Sequence, residues 1–462
     1  MQGLPTRSSN GAISAALEDH IKRADLTRHL NGFTYRNDEA ARERAAELDA
    51  DPGACPGSLL RGWVGVIKDS IHVKGAPNSA GTPLLRNFVP QKDAPVVTAL
   101  RDQGAIVLGK ANMHELALGT TSNNPTFGPV RNPHGQEHSS GGSSGGTATV
   151  VASGAARFGL GTDTGGSVRI PAALTGLYGL RPTTGRYPGN AVTPLCSSRD
   201  TVGVMTRTMA DLDLVDQAIS GAPANTPWPA ESDLRLAVPS SRYTDELDPE
   251  VRRVWLESLQ ALQDEGITVA ELDTSIPDAL DDEWGMAIVF AEAYSELQQY
   301  LAEFVSTLTL DELLTGIAMP EVAAAFAANR PASEKARELM ELQARSAKRA
   351  AAAEYAKAFA ATGTSALIFP TTPVPAPRLG VDDENVLVDG KLRPSFDTLT
   401  RNMKPGSFAG LPGITLPVGV SSAGLPVGLS LDGPAGSDRR LIAVAGYIDG
   451  VLARAARSSR TV

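Results

Sequence analysis

A helix followed by a buried strand recurs along this chain, and that order leaves few folds open. "DAPVVTALRDQGAIVLGKANM" reads as a helix capped near Asp93 and stopped by Gly104, then an apolar strand over 105–108. "GWVGVIKDSIHV" is β-branched and apolar up to Lys68, which predicts a buried strand running into that lysine. "NDEAARERAAELDA" (37–50) reads as a surface helix, and "SSGGTATVVASGAARFGLG" as helix then strand. "DPEVRRVWLESLQALQDEGITVAEL" reads as a helix with Asp248 as its cap, Pro249 in the first turn and Gly266 at the end. Its Val251, Trp255, Leu259 and Leu262 share one face, and a strand over 268–272 follows. Residues 282–361 are Ala-rich and read as a helical subregion over a cleft. "ALIFPTTPVPAP", "LPGITLPVG" and "GLPVGLSLDG" supply three further strands. No repeat of 20–50 residues appears. The expectation is a single α/β domain over 1–462, with a central sheet flanked by helices.

Composition narrows the function. Hydrophobic residues make up 42% and charged residues 20%, enough apolar material for a large core. The net charge is −10 without a Lys/Arg run, so neither nucleic acid nor an anionic membrane surface is an expected partner. Cys55 and Cys196 form no disulfide framework and no zinc spacing, and are expected to be passive thiols. No apolar stretch has signal-peptide or bilayer-spanning length, which makes a cytoplasmic location the expectation.

Chemistry concentrates in "HSSGGSSGGTATVVASGAARFGLGTDTGGSVRIP" (138–171), which holds six serines and nine glycines. Phosphate-binding patterns fail there: no lysine follows the glycines, and Gly159 and Gly161 are followed by Thr164 where a third glycine is needed. "GGSSGG" matches the G-x-S-x-G nucleophile elbow at Ser143 and at Ser144. All six histidines precede Ser143, however, so no downstream histidine can complete that triad. No H-E-x-x-H occurs, so no metal is expected, and His114 in "NMHEL" reads as structural or as pocket wall. A serine nucleophile without histidine needs another base, and a buried neutral lysine can serve. No S-x-x-K is present. On local sequence Lys68 and Lys110, both at apolar strands, remain rivals. "TDTGGS" is either a plain tight turn or a run of amides for an oxyanion.

With these residues in place, the chain resembles the amidase signature family. "GGSSGG" is followed, 24 positions after its first serine (143 to 167), by the serine of "GTDTGGSVRIPAA". "GVIKDS", "IFPTTPVPAP" and "GLPGITLPVG…GLPVGLSLDGPAGSDRRL" match further family segments. The likeness covers roughly residues 37 to 450, so 1–35 forms a poorly matched N-terminal segment. Within the family, "NMHELALGTTSNNPTFGPVRNP", "TGRYPGNAVTPLCSSRDTVG" and "DGPAGSDRR" are most similar to indoleacetamide and mandelamide hydrolases. Amidotransferase A subunits usually carry an acidic residue where His114 stands. Ser140 replaces the proline that usually precedes "GGSSGG".

The resemblance implies the amidase signature fold with a mixed sheet and a Ser–cisSer–Lys triad. Ser167 is the nucleophile, Ser143 the relay after a cis peptide from Gly142, and Lys68 the base, chosen over Lys110. Thr164, Gly165, Gly166 and Ser167 would form the oxyanion hole. Gly142, Asp163 and Arg169 are expected as structural support, with Arg169 bracing through Asp163 in preference to binding a substrate carboxylate. His114, Thr121, Ser122 and Asn123 are candidate pocket residues. The expected function is cofactor-free hydrolysis of small primary arylacetamides, with a homodimer as the candidate assembly. The alternatives are hydrolysis of hydrazides, anilides or ureas, a glutaminase-type subunit of an amidotransferase, and a non-catalytic binding relative.

Overall fold

A computed structural model describes residues 11–458 except 52, 54 and 224–233. The apolar runs form eleven strands of one mixed sheet. In chain order these are β1 (Phe33–Arg36), β2 (Val64–Lys68), β3 (Ile106–Ala111), β4 (Phe158–Asp163), β5 (Tyr178–Arg181) and β6 (Thr201–Thr206). They continue as β7 (Arg235–Val238), β8 (Thr268–Glu271), β9 (Ala366–Pro370), β10 (Gly413–Val420) and β11 (Pro426–Asp432). Their spatial order is β1-β3-β2-β4-β6-β5-β10-β11-β9-β7-β8. β2 pairs in parallel with both β3 and β4, whereas β6, β5, β10 and β11 continue antiparallel. β7 returns to parallel pairing between β9 and β8.

The sheet buries both faces, which is why its strands read as continuous apolar runs. Ile368 and Leu236 point into a core shared with helices Pro249–Asp264 and Asp438–Ser458. Their neighbours Leu367, Phe369 and Ala237 point into a second core, shared with the long helices Ser275–Phe304 and Glu334–Thr362. The result is a single α/β domain. Helix Ala12–Leu26 buries Leu17, Ile21 and Ala24 in a third cluster with Ala41, Ala45 and Leu48, so most of the segment before residue 36 belongs to the packed fold.

Most predicted elements form, with local differences. The helix expected from Asp93 begins at Pro95, and Asp93 does not cap it. The Asp93 carboxylate instead accepts the Lys74 amide at 2.7 Å, while Pro95 opens the helix with a preset φ. Asp248 does cap its helix, accepting the Glu250 amide at 2.9 Å. β3 runs past Leu108 to Ala111 because its pairing with β2 continues to Lys68↔Ala111.

Candidate active site

β2 and β4 run parallel, in register at Ile67↔Leu160, so their C-terminal ends lie side by side. In α/β sheets this end is where ligand clefts form. β2 ends in Lys68 and β4 in Asp163; the turn Thr164–Ser167 follows β4 directly. The serine loop lies across these strand ends, before helix Gly145–Ala152, and the Gly142–Ser143 peptide is cis.

Lys68 and Ser143 are fully buried. The Lys68 amine donates to Ser143 Oγ at 2.7 Å and to Thr162 Oγ1 at 2.8 Å. Burial pushes its pKa down from 10.5 to about 7, against the opposing pull of Asp200 and Asp163. An amine that loses its proton near neutral pH therefore sits within proton-transfer distance of a buried hydroxyl. Lys110 is committed elsewhere: its amine lies 3.4 Å from Asp69 Oδ1 and donates to Asn78 Oδ1 at 2.9 Å.

Ser167 lines a cleft of about 420 Å³, counted to its open mouth. Ser144 ties the serine loop to the turn, its amide donating to the Ser167 carbonyl at 3.2 Å and its hydroxyl to the Thr162 carbonyl at 3.3 Å. The Ser167 hydroxyl makes no hydrogen bond among the described residues, so only the lysine-to-Ser143 link of the expected relay is closed here. Catalytic hydrogen bonds are often open before substrate arrives.

The turn's amides are not equivalent. Gly166 was expected among the oxyanion donors, but its N–H donates to Asp163 Oδ1 at 2.9 Å. The Thr164, Gly165 and Ser167 amides have no partner among the described residues. Gly166 serves the turn in another way. Its φ of +116° is a glycine conformation, and a Cβ there would lie 2.7 Å from Met403.

Asp163 anchors the turn from beneath. Burial alone would raise its pKa, but Arg169 and Arg181 overcome that and hold the carboxyl well below its usual range. Arg169, itself buried, contacts Asp163 at 3.1 Å, Asp432 at 3.2 Å and Ser407 Oγ at 2.7 Å. These bonds join the ends of β4 and β11 to helix Lys404–Ala409.

The candidate pocket residues fall one step outside the cleft. Its wall is Ala117, Leu118, Gly119 and Thr120, not Thr121, Ser122 or Asn123. Ser122 Oγ donates to the Gly141 carbonyl at 2.9 Å and accepts the Gly145 amide at 3.3 Å, bracing the serine loop. Thr121 lies beside His114, and Asn123 donates to Asp383 at 2.6 Å. His114 stands behind the wall: a Cβ on Gly119 would lie 2.0 Å from its Nε2. Burial, with the nearby Lys68 charge, drives its pKa down to about 3, so the ring is neutral. Its amide donates to the Ser143 carbonyl at 3.1 Å. Ser140 contacts Thr149 Oγ1 at 2.6 Å.

Three site residues escaped sequence reasoning. Thr162 had a faint signal, as a hydroxyl on the strand beside Lys68. Arg199 had none: it donates to the Thr164 carbonyl at 3.2 Å, the Gly285 carbonyl at 2.7 Å and the Lys404 carbonyl at 3.2 Å, across more than 200 residues. Asp200 takes the Thr164 hydroxyl and the Leu195 and Cys196 amides. Leu195, Met286, Val289 and Phe396 complete the cleft with an apolar wall. Among the described residues no group of His, Cys, Asp and Glu is arranged to hold a metal ion, and no helix is long and apolar enough to cross a membrane.

The sequence profile of the Amidase family matches residues 15–442. An indoleacetamide hydrolase of Agrobacterium vitis is 37% identical, over 94% of this chain and 92% of its own length. A mandelamide hydrolase of Pseudomonas putida is 35% identical, over 94% of this chain and 87% of its own. A crystal structure of an amidase superposes with a TM-score of 0.83 at 32% identity, covering 96% of each chain.

Proposed function

Since this chain belongs to the amidase family, we propose that it hydrolyses small primary arylacetamides, of the indoleacetamide or mandelamide kind, to a carboxylic acid and ammonia. The observation that carries the choice of substrate is the apolar wall of Leu118, Leu195, Met286, Val289 and Phe396 around the cleft that Ser167 lines. Such a wall suits an aromatic ring, which buries more apolar area there than a short aliphatic group, and offers the polar end of a glutamine side chain little to hold. Met286 and Val289 come from helix Ser275–Phe304, so the helical segment 282–361 contributes the part of the cleft that selects the acyl group. The named relatives support the same reading.

In the proposed mechanism Lys68, Ser143 and Ser167 act in series. Neutral Lys68 accepts the Ser143 proton across their 2.7 Å contact, and Ser143 accepts that of Ser167. Ser167 Oγ then attacks the amide carbonyl carbon. The oxyanion is received by the free amides of Thr164, Gly165 and Ser167, each worth about 3 kcal/mol of barrier. The protons return along the same path to expel ammonia, leaving an acyl-enzyme on Ser167. Water, activated by the same relay, releases the acid. Gly142, Asp163 and Arg169 hold the loops and take no part in proton transfer. The buried amine supports the lysine's role, because a lysine charged at neutral pH has no lone pair to offer. The free thiols Cys55 and Cys196 fit a reaction carried out in the reducing cytoplasm.

The test is ammonia release by the purified chain alone, over aliphatic, arylacetic and amino-acid amides. Phenylacetamide or indoleacetamide is expected to exceed the aliphatic amides by about tenfold or more in kcat/KM. A lead for glutamine or an aliphatic amide, or activity only with a partner chain, would overturn the substrate assignment. Faster turnover of a hydrazide, anilide or urea would move the activity to the other acyl–nitrogen bonds.

A further inference from the structure

A second cavity, of about 710 Å³ counted to its mouth, adjoins the catalytic cleft; Lys404 lines both. Four cations and three carboxylates line it: Arg242, Arg393, Arg401 and Lys404 against Glu246, Asp282 and Asp397. Three of the cations are matched. Arg242 forms a two-pronged pair with Asp282 at 2.9 and 3.1 Å, Arg393 meets Glu246 at 3.1 Å, and Lys404 lies 3.5 Å from Asp397.

Arg401 is the exception. Its Nε donates to Asn402 Oδ1 at 3.1 Å, and its two terminal nitrogens reach the Glu246 and Asp245 carbonyls at 3.5 and 3.3 Å. No carboxylate lies within ion-pair distance among the described residues. A guanidinium has five N–H donors, so two remain unused. A half-buried guanidinium without an anion, facing a second arginine, is poorly compensated. Burial and the Arg242 charge lower its pKa to about 10, against the weaker pull of Glu246 and Asp245. Four positive groups face three negative ones in the lining, and Lys391, 3.3 Å from Glu246, adds a further cation at its edge.

We propose that this cavity binds the carboxylate of a small organic acid, with Arg401 as its anchor. An anion offsets the excess of positive charge, and a planar carboxylate fits the free edge of a guanidinium. A polyanion would meet Glu246, Asp282 and Asp397. The carboxylate has two possible sources, a free acid such as the reaction product or the far end of an amide that extends from the cleft past Lys404.

Phenylacetate binding to the full chain, read by titration calorimetry, tests this without any turnover and so stands apart from the amidase reading. Arg401→Gln is expected to weaken binding by about tenfold or more, and Arg401→Lys, which keeps the charge but loses the planar fork, to weaken it by less. Turnover of neutral phenylacetamide is expected to stay within about twofold in both, because that substrate does not need the site. If the ligand is the free acid, Arg401→Gln also removes the noncompetitive part of product inhibition. If it is the end of a substrate, the variant instead lowers kcat/KM for glutaramate while sparing butyramide. Phenylacetate binding as tight in a folded Arg401→Gln protein as in the parent would overturn the proposal and leave Arg401 as a brace for the 245–246 turn.

Discussion

At Lys68 two demands oppose each other: the amine must be buried to be a base, and burying it costs stability. With the pKa near 7, kcat/KM should rise with pH through about 7 and level off above it, as the amine loses its proton. Lys68→Arg, which cannot deprotonate, should be inactive across that range in a steady-state profile. Thr162→Val removes one of the two hydroxyls on the amine. It is expected to lower kcat by about tenfold with little change in KM, a split expected of a positioning residue. An equal loss through KM would make Thr162 a binding residue instead. Lys68, Ser143 and Ser167 were all named on family resemblance, but local sequence could not separate Lys68 from Lys110. Both stand in apolar strands at or next to the C-terminal end, and only the fold sets one beside Ser143 and the other beside Asp69.

Among the elements, the turn after β4 has the narrowest tolerance. Gly166→Ala would force a side chain into a +116° φ and against Met403. The expected result is a thermal midpoint lowered in line with about 1–3 kcal/mol of strain, and kcat reduced about a hundredfold as the neighbouring amides shift. Wild-type kcat in that variant would show that the turn's amides do not serve the reaction. The helix Ser275–Phe304 acts on selectivity. Met286→Ala should cost arylacetamides about tenfold in kcat/KM while leaving acetamide nearly unchanged, measured as a ratio of the two substrates. The strands and the Asp248 helix were legible in the sequence because their apolar period and caps are local. The cleft was not. Its wall joins Leu118, Leu195, Met286 and Phe396 from four distant segments, and the nearby candidates Thr121 to Asn123 turn away to brace loops.

For the whole molecule, the buried amine links stability to pH. Lys68 binds its proton near 7 in the folded chain and at 10.5 in the unfolded one. Between those values the unfolded chain holds one more proton, so this group's contribution to stability rises with pH from 7 to 10.5. Below pH 7 its full cost of about 5 kcal/mol is present. Lys68→Met should therefore be inactive yet melt no lower than the parent at pH 6; a large loss of stability there would mean that the lysine's hydrogen bonds outweigh its burial. The fold class was readable from the order of helices and buried strands, and the mixed pairing was an expectation of the resemblance. The strand order was not readable, because β5 pairs with β10 across more than 200 residues. The most direct test of the whole scheme is the rate at which phenylmethanesulfonyl fluoride labels the intact protein as pH is varied, with the modified residue located by mass spectrometry. The expected result is labelling of Ser167 with a rising limb near pH 7 that Lys68→Met and Ser143→Ala both abolish. Labelling of another serine, or a Ser167 rate unchanged in those variants, would contradict it.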